Sequence, residues 1–175
     1  MAIQIVRAVP SDAAEIIAFI KQVGGESDNL SFGPEGLPFT AESEAALIAD
    51  LEGSGDSLML LAKDNGKIVG DANLNRMRRR MKHRGGLSLV VAKSHWDQGI
   101  GGQLLCGMID FAKEHDFDIL DLEVRADNLR AIHLYEKHGF QKLGTHPGYF
   151  KIDGKWIDFH WMYLPLKDSF SCKTP

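Results

Sequence analysis

The chain has 175 residues, of which 44% are hydrophobic and 25% are charged, as in an ordinary soluble globular protein. Its formal net charge of −4 gives no reason to expect a nucleic-acid partner. No apolar run approaches the roughly 20 residues that span a bilayer, and the first residues lack the pattern of a signal peptide. We therefore expect a cytoplasmic protein with no nucleic-acid or membrane partner.

The first predicted elements are a strand and a helix. Residues 3–9 alternate in polarity and predict a strand. Residues 10–12, Pro-Ser-Asp, are typical of a helix start, and Asp12 and Glu15 have the spacing of a capping box. Glycines 24–25 then end the helix.

The middle of the chain predicts a loop, a helix and a β-hairpin. The loop covers residues 24–39, which are rich in Gly, Pro and Ser, and the helix covers residues 40–51. The hairpin covers residues 57–77 and turns at Asp64-Asn65-Gly66. A further strand is predicted over residues 86–92.

The second half continues the alternation of helices and strands. A glycine-rich turn and a helix to about residue 115 are followed by these elements: a strand at 118–124, a helix at 128–138, and strands at 140–145 and 155–166. No internal repeat or linker interrupts them, so we predict one mixed α/β domain over residues 1–167 and a polar tail over 168–175. Cys106 and Cys172 are expected to be reduced thiols, with no metal site.

The segment "WDQGIGGQLL" at residues 96–105 places Gly99, Gly101 and Gly102 at the start of a predicted helix. Glycines there allow the backbone to approach an anion, which free N–H groups and the helix dipole stabilise. The third glycine is misplaced for a dinucleotide fold, and a P-loop would need a lysine. A phosphate-binding turn and a simple tight turn both remain open.

A second motif, "NLRAIHLYEKHGF" at residues 128–140, follows one strand later. Together with "QGIGGQLL" and the opening "IVRAVPSDAAEI", it resembles the GNAT superfamily of acyl-CoA-dependent N-acetyltransferases. Trp96 stands where Arg or Gln is common in that family.

The resemblance implies a mixed, strongly twisted sheet with helices on both faces, splayed between its fourth and fifth strands. It implies acetyl-CoA as co-substrate and no metal. The pyrophosphate would be bound by the backbone of the glycine turn: Gln98, Gly99, Ile100, Gly101, Gly102 and Gln103. The pantetheine arm would pair with backbone near Leu89 and Val91, where an N–H group can stabilise the oxyanion.

The resemblance implies that Tyr135 is the acid for the departing thiolate. Asn128, Ala131 and Tyr135 share one helix face by their spacing. Without the motif, an amphipathic core residue would explain Tyr135 as well. Asn128 can be a helix N-cap, and the family also gives it a hydrogen bond to the pantetheine.

Glu123 is the candidate base. It lies in "LEVR", which resembles the ribosomal-protein alanine N-acetyltransferase branch, and strand alternation points it away from Leu122 and Val124. A solvated charge on the strand face explains Glu123 equally well. His83 is a second, weaker candidate base.

Three further stretches have functional and structural interpretations. The basic run "RMRRRMKHR" at residues 76–84 is either a solvated turn or a site for an acidic acceptor or the 3′-phosphate of the coenzyme.

In the loop at residues 26–32, Asp28 could attract an ammonium group and Phe32 could pack on it, although ordinary loop residues are also expected there. The aromatic residues of the last strand favour packing over stacking on a ligand: Trp156, Phe159 and Trp161.

We therefore predict a GNAT N-acetyltransferase that transfers acetyl from acetyl-CoA to a primary amine of a small molecule by direct attack in a ternary complex. The alternatives are a protein N-terminal acetyltransferase, as "LEVR" suggests, and a non-catalytic acyl-CoA-binding module. The resemblance also allows a homodimer.

Overall fold

The computed structural model describes residues 3–51 and 53–167. The predicted tail at 168–175, with Cys172, lies outside these residues. The strands are β1 Gln4–Arg7, β2 Ser57–Asp64, β3 Lys67–Arg76, β4 Arg84–Val91, β5 Ile119–Arg125, β6 Gln141–Ile152 and β7 Lys155–Pro165. The α-helices are α1 Ala13–Gly24, α2 Ala41–Leu51, α3 Ile100–Glu114 and α4 Leu129–Lys137. No described helix has the length and apolar character needed to cross a membrane.

The strands form one mixed seven-stranded sheet in the order β1-β2-β3-β4-β5-β7-β6, which confirms the predicted fold class. The first pair, β1 with β2, is antiparallel, as are β5 with β7 and β6 with β7. The parallel pairing of β4 with β5 joins Arg84–Gly86 to Ile119–Asp121, at the start of both strands. This short pairing is consistent with the predicted splay between the fourth and fifth strands.

The chain divides into two compact units, and β3, β4 and α3 contribute residues to both. Within the described residues, the first unit comprises residues 3–51, 53–74 and 89–110. Its core includes the predicted apolar face of α1, which is fully buried: Ile16, Phe19, Ile20 and Val23.

The start of α1 differs from the predicted capping box. The Asp12 carboxylate accepts hydrogen bonds from the Val9 N–H (3.1 Å) and from Lys63 Nζ (2.6 Å). Glu15 does not turn back to Asp12 but accepts a hydrogen bond from the Ile68 N–H over 2.9 Å. The predicted reciprocal cap does not form, because Lys63 on β2 and the Ile68 N–H on β3 bind the two carboxylates.

The β2–β3 hairpin turns where the sequence predicts it. Asn65 and Gly66 have φ angles of 48° and 82°, as a type I′ turn requires, and this turn matches the twist of the flanking strands. Asn is one of the few residues other than glycine that adopts positive φ readily.

Within the described residues, the second unit comprises residues 75–88 and 111–167. Along β5, the side chains of Leu120, Leu122 and Val124 are buried, whereas Glu123 is exposed. The prediction for β6 was too short, because the strand continues past residue 145 to Ile152. A break in register between His146 and Phe150 accommodates Pro147, which cannot donate to a regular ladder.

Candidate functional site

The glycine turn lies in the first unit and leads into α3. Gly99 has a φ of +77° and a Cβ built there would meet nothing within 4 Å, so the turn is open on this side. Its carbonyl accepts the hydrogen bond from the Gln103 N–H over 3.1 Å. The preceding N–H groups, those of Ile100, Gly101 and Gly102, belong to the helix end where donors have no intrahelical acceptor. Open backbone donors at a helix N-terminus suit a pyrophosphate.

Trp96 fixes this turn to the end of β4, a role the sequence did not reveal. Its indole Nε1 donates to the Val91 carbonyl over 2.8 Å, and Gln98 Nε2 donates to the Ser94 carbonyl over 3.2 Å. Leu89 and Val91 are half-buried in the last part of β4. The only signal of this role in the sequence was the Trp itself, at a position where the family commonly has Arg or Gln.

The second motif forms α4 in the second unit. Asn128 is the N-cap: its Oδ1 accepts a hydrogen bond from the Ala131 N–H over 3.3 Å, which confirms the capping interpretation. Tyr135 is 6% exposed, and its ring centroid lies 5.7 Å from that of Phe140. Burial raises the pKa of Tyr135 to about 12, so this phenol keeps its proton throughout the neutral range.

Glu123 is exposed on the face of β5 opposite Leu122 and Val124, as alternation predicted. Its pairing partner on β7 is Trp161, and Trp161 is 45% exposed. Burial raises the pKa of Tyr149, and the negative charge of Glu123 contributes to the same shift. His83 lies at the opposite end of β5, where its carbonyl accepts a hydrogen bond from the Asp118 N–H over 2.8 Å.

The two ends of the basic run have structural roles. Arg76 donates to the carbonyls of Lys82 (2.7 Å) and His115 (2.5 Å). Arg84 forms a two-pronged ion pair with Asp121, with Nε to Oδ2 at 2.7 Å. The exposed cations lie between these ends: Arg78, Arg79, Arg80 and Lys82. The solvated-turn interpretation therefore fits the run, with its ends fixed to the second unit.

A model of the acetyltransferase (GNAT) family matches residues 28–140, well over half of the chain. The chain belongs to the GNAT family. This confirms the resemblance that the glycine turn and the α4 motif carry. Both motifs lie inside the matched range, whereas the opening segment of the chain lies before it.

Relatives of the GNAT chain include an N-alpha-acetyltransferase and an L-amino acid N-acyltransferase. The N-alpha-acetyltransferase RimI of Mycobacterium tuberculosis is 33% identical over 94 residues, 53% of this chain and 58% of the relative. The L-amino acid N-acyltransferase MnaT of Escherichia coli is 26% identical over 112 residues, 63% of this chain and 65% of the relative. The chain thus matches less than two thirds of the length of these two curated relatives.

Solved structures cover the chain more completely. A GNAT-family acetyltransferase from Streptococcus pneumoniae superposes with a TM-score of 0.91 and 35% identity, covering 94% of this chain and 99% of that one. A GNAT phosphinothricin acetyltransferase from Sinorhizobium meliloti, solved in complex with acetyl-CoA, has a TM-score of 0.83 at 20% identity, covering 100% of this chain and 94% of that one. The latter likeness shows the fold.

The loop that follows α1 holds the two predicted acceptor residues of this GNAT chain. Asp28 is exposed. Phe32 is partly buried and packs against the core of the first unit, with its ring close to Gly24. The structure thus gives Phe32 a packing role in the loop.

Two buried acids in the first unit escaped sequence analysis. Asp71 on β3 is 4% exposed and Glu44 on α2 is 6% exposed. Burial is the main cause that raises the pKa of Asp71 to about 7; the hydrogen bond from Asn73 Nδ2 at 3.0 Å opposes this shift, and the charge of Glu44 adds to it. Burial also raises the pKa of Glu44. Asp71 and Glu44 are far apart in the sequence and belong to no common motif. Only the tertiary packing of α2 and β3 brings their charges close enough to interact.

Proposed function

We propose that the protein transfers the acetyl group of acetyl-CoA to the primary amine of a small molecule, by direct attack in a ternary complex. The observation that carries this proposal is Tyr135, a buried phenol that holds its proton and occupies the Tyr position of the GNAT motif on α4. Relatives such as MnaT, named as an L-amino acid N-acyltransferase, favour a small acceptor.

The residues present fit acetyl-CoA. The backbone N–H groups of Gly99 to Gly102 would bind the pyrophosphate, because the turn is open and a side chain is absent where the backbone must be approached. The backbone at Leu89 and Val91 would bind the pantetheine arm, and Asn128 would add a hydrogen bond in addition to its capping role. When bound, the coenzyme supplies an acetyl thioester.

The chain's own residues then handle protons. The acceptor reacts as the neutral amine: its nitrogen forms a bond to the acetyl carbon and loses one proton to the Glu123 carboxylate. An N–H group of β4 stabilises the charge on the carbonyl oxygen. As the carbon–sulfur bond breaks, the Tyr135 hydroxyl gives its proton to the thiolate. The products are an acetamide and the free thiol. Glu123 then releases its proton to solvent, and Tyr135 regains a proton from solvent.

A second candidate is N-terminal acetylation of a protein. The 33% identity to RimI of Mycobacterium tuberculosis favours it, as does "LEVR" at residues 122–125. The acceptor in that case would be a peptide α-amine.

The test is an acceptor panel with acetyl-CoA in which thiol release is followed over time. Small primary amines, amino acids, and peptides that begin with alanine are compared at equal concentrations. Turnover that is fastest with small amines supports the proposal, and turnover only with peptides favours the second candidate. Binding of acetyl-CoA without turnover of any acceptor would identify a non-catalytic module.

A further inference from the structure

Glu123 lies beside a row of three rings on one face of the second unit. Directly opposed residues of an antiparallel pair point to the same face, with Cβ atoms about 5 Å apart, and Glu123 opposes Trp161. The His146 ring lies 5.8 Å from Trp161 and 5.0 Å from Tyr149. We call Glu123, His146, Tyr149 and Trp161 the acidic aromatic face.

A bulge in β6 sets the position of Tyr149. Between the pairs His146↔Phe159 and Phe150↔Ile157, three residues of β6 oppose the single residue Asp158 of β7. The Asp158 carboxylate fixes this bulge by accepting a hydrogen bond from the Gly148 N–H over 2.8 Å. The Tyr149 ring then packs 5.1 Å from the buried Phe159. Bulges are often used to aim a side chain next to an active site.

The charge on this face is not balanced. Within residues 3–51 and 53–167, no ion pair or hydrogen bond engages the Glu123 carboxylate. The cation two positions along β5, Arg125, is held by Asp127 through Nε at 2.6 Å and Nη2 at 3.0 Å. A carboxylate and exposed ring faces both attract an ammonium ion. A ligand carboxylate brought to the same place would be repelled by Glu123.

We propose that the acidic aromatic face recognises the acceptor and selects a primary amine on an aromatic or other flat apolar skeleton, with no carboxylate on the carbon that bears the amine. Glu123 attracts the ammonium group, and Tyr149 and Trp161 pack against the skeleton and determine specificity. This inference rests on the proposed function, because it narrows the class of small amine that is acetylated.

Phenethylamine and L-phenylalanine test it, since they share a skeleton and differ by the carboxylate. With thiol release as the readout, we expect kcat/KM to favour phenethylamine by about tenfold or more, because like charges in contact are costly. Trp161→Leu and Tyr149→Leu should each raise the KM for phenethylamine about 3- to 30-fold and leave the KM for acetyl-CoA unchanged.

The matched control is Trp156→Leu. Trp156 lies on the same strand, is 68% exposed and packs under Lys151 Nζ, which is 4.7 Å from its ring centroid. It is outside the acidic aromatic face, and its ring lies against Gly148 of the bulge, so its replacement should raise the KM for phenethylamine much less than Trp161→Leu does and leave the KM for acetyl-CoA unchanged. Trp161→Phe keeps a ring and should recover most of the affinity for phenethylamine, which separates ring contact from a general loss of folding.

Calorimetric titration of phenethylamine into the wild type and Trp161→Leu separates this inference from the proposed function. Binding that weakens in Trp161→Leu, without acetylation of any amine, would support recognition and overturn the function. Acetylation with a preference for L-phenylalanine would overturn the inference alone. The inference also fails if Trp161→Leu and Trp156→Leu behave alike, or if other amines react while phenethylamine neither binds nor reacts.

Discussion

Trp96 donates its indole N–H to the carbonyl of Val91 over 2.8 Å, so one side chain joins the end of β4 to the turn that begins α3. Both segments are expected to contact acetyl-CoA. A side chain that fixes their spacing prepares the backbone donors before the coenzyme binds, which lowers the entropy cost of binding. We therefore propose that Trp96 is a positioning residue for the coenzyme site.

Replacing Trp96 with Phe keeps a ring and removes the hydrogen bond. We expect a loss of stability of about 1 kcal/mol, which corresponds to about 2–4 °C in Tm for a chain of this size, and a several-fold weaker acetyl-CoA affinity measured by calorimetry. Trp156→Phe, at an exposed site, is the control and should change neither quantity. Equal affinity of the two variants would show that the turn does not depend on Trp96.

Gly101 lies in the first turn of α3, where we propose that its backbone meets the pyrophosphate. Gly101→Glu adds bulk and a negative charge that opposes the phosphates, so calorimetry should show acetyl-CoA affinity reduced at least about tenfold. The fold should persist, because an acidic side chain suits a helix N-terminus. Cys106→Glu places the same charge at an exposed position of the same helix and should leave affinity almost unchanged. If both variants bind alike, the assignment of the turn is wrong.

Asp71 makes stability depend on pH. Its pKa is raised in the folded protein to about 7, from an ordinary value of 3.8, chiefly by burial and also by Glu44. The folded state therefore binds more protons than the unfolded state between these values. The contribution of Asp71 to stability is complete below pH about 4 and is lost as the pH rises through 7.

Asp71→Asn tests this linkage, since the amide has a similar shape and no charge. The Tm of the wild type should fall between pH 5.5 and pH 8.5, and the fall should be clearly smaller in Asp71→Asn. Carboxylates whose pKa is lowered, such as Asp12 and Asp118, lose their contribution to stability only at lower pH. Both proteins contain them, so the comparison also removes any effect that they have on Tm. Parallel curves for the two proteins would contradict the role of Asp71.

Local chemistry explains which parts of the fold the sequence predicted. The turn at Asn65-Gly66 needs two residues that tolerate positive φ, and the helix start at Asn128 needs a side chain that caps the next turn. Both requirements are met within a few residues, so they are visible in the sequence. The same holds for the buried face of α1.

Long-range pairing explains what the sequence did not predict. Glu15 has the spacing of a cap but bonds to Ile68 from a distant strand. Trp161 was interpreted as packing, whereas its register opposite Glu123 leaves it 45% exposed. The β5–β7 register places Trp161 opposite Glu123, and the bulge in β6 places Tyr149 nearby. No short sequence pattern encodes either pairing.

Tyr135→Phe is the sharpest test of the catalytic assignment, because it keeps the ring that packs on Phe140 and removes only the hydroxyl. The conjugate thiol of the departing group has a pKa near that of a free thiol, which is about 8.5 for cysteine. The pKa of Tyr135, raised by burial to about 12, keeps the donor protonated at every working pH. Loss of a positioned proton donor should lower turnover by roughly 10²–10⁴-fold. Because the pKa of Tyr135 is raised, no basic limb of the pH–rate profile below pH 10 should arise from this residue.

Acetyl-CoA affinity and Tm should stay close to those of the wild type, since the lost hydroxyl makes no hydrogen bond to another described residue. Thiol release, calorimetry and thermal melting on the same preparation distinguish three results. Lower turnover with intact binding and Tm supports the acid. Retained turnover with a lower Tm would make Tyr135 a packing residue. If turnover and Tm are both retained, water protonates the thiolate, and the chain still belongs to the GNAT family.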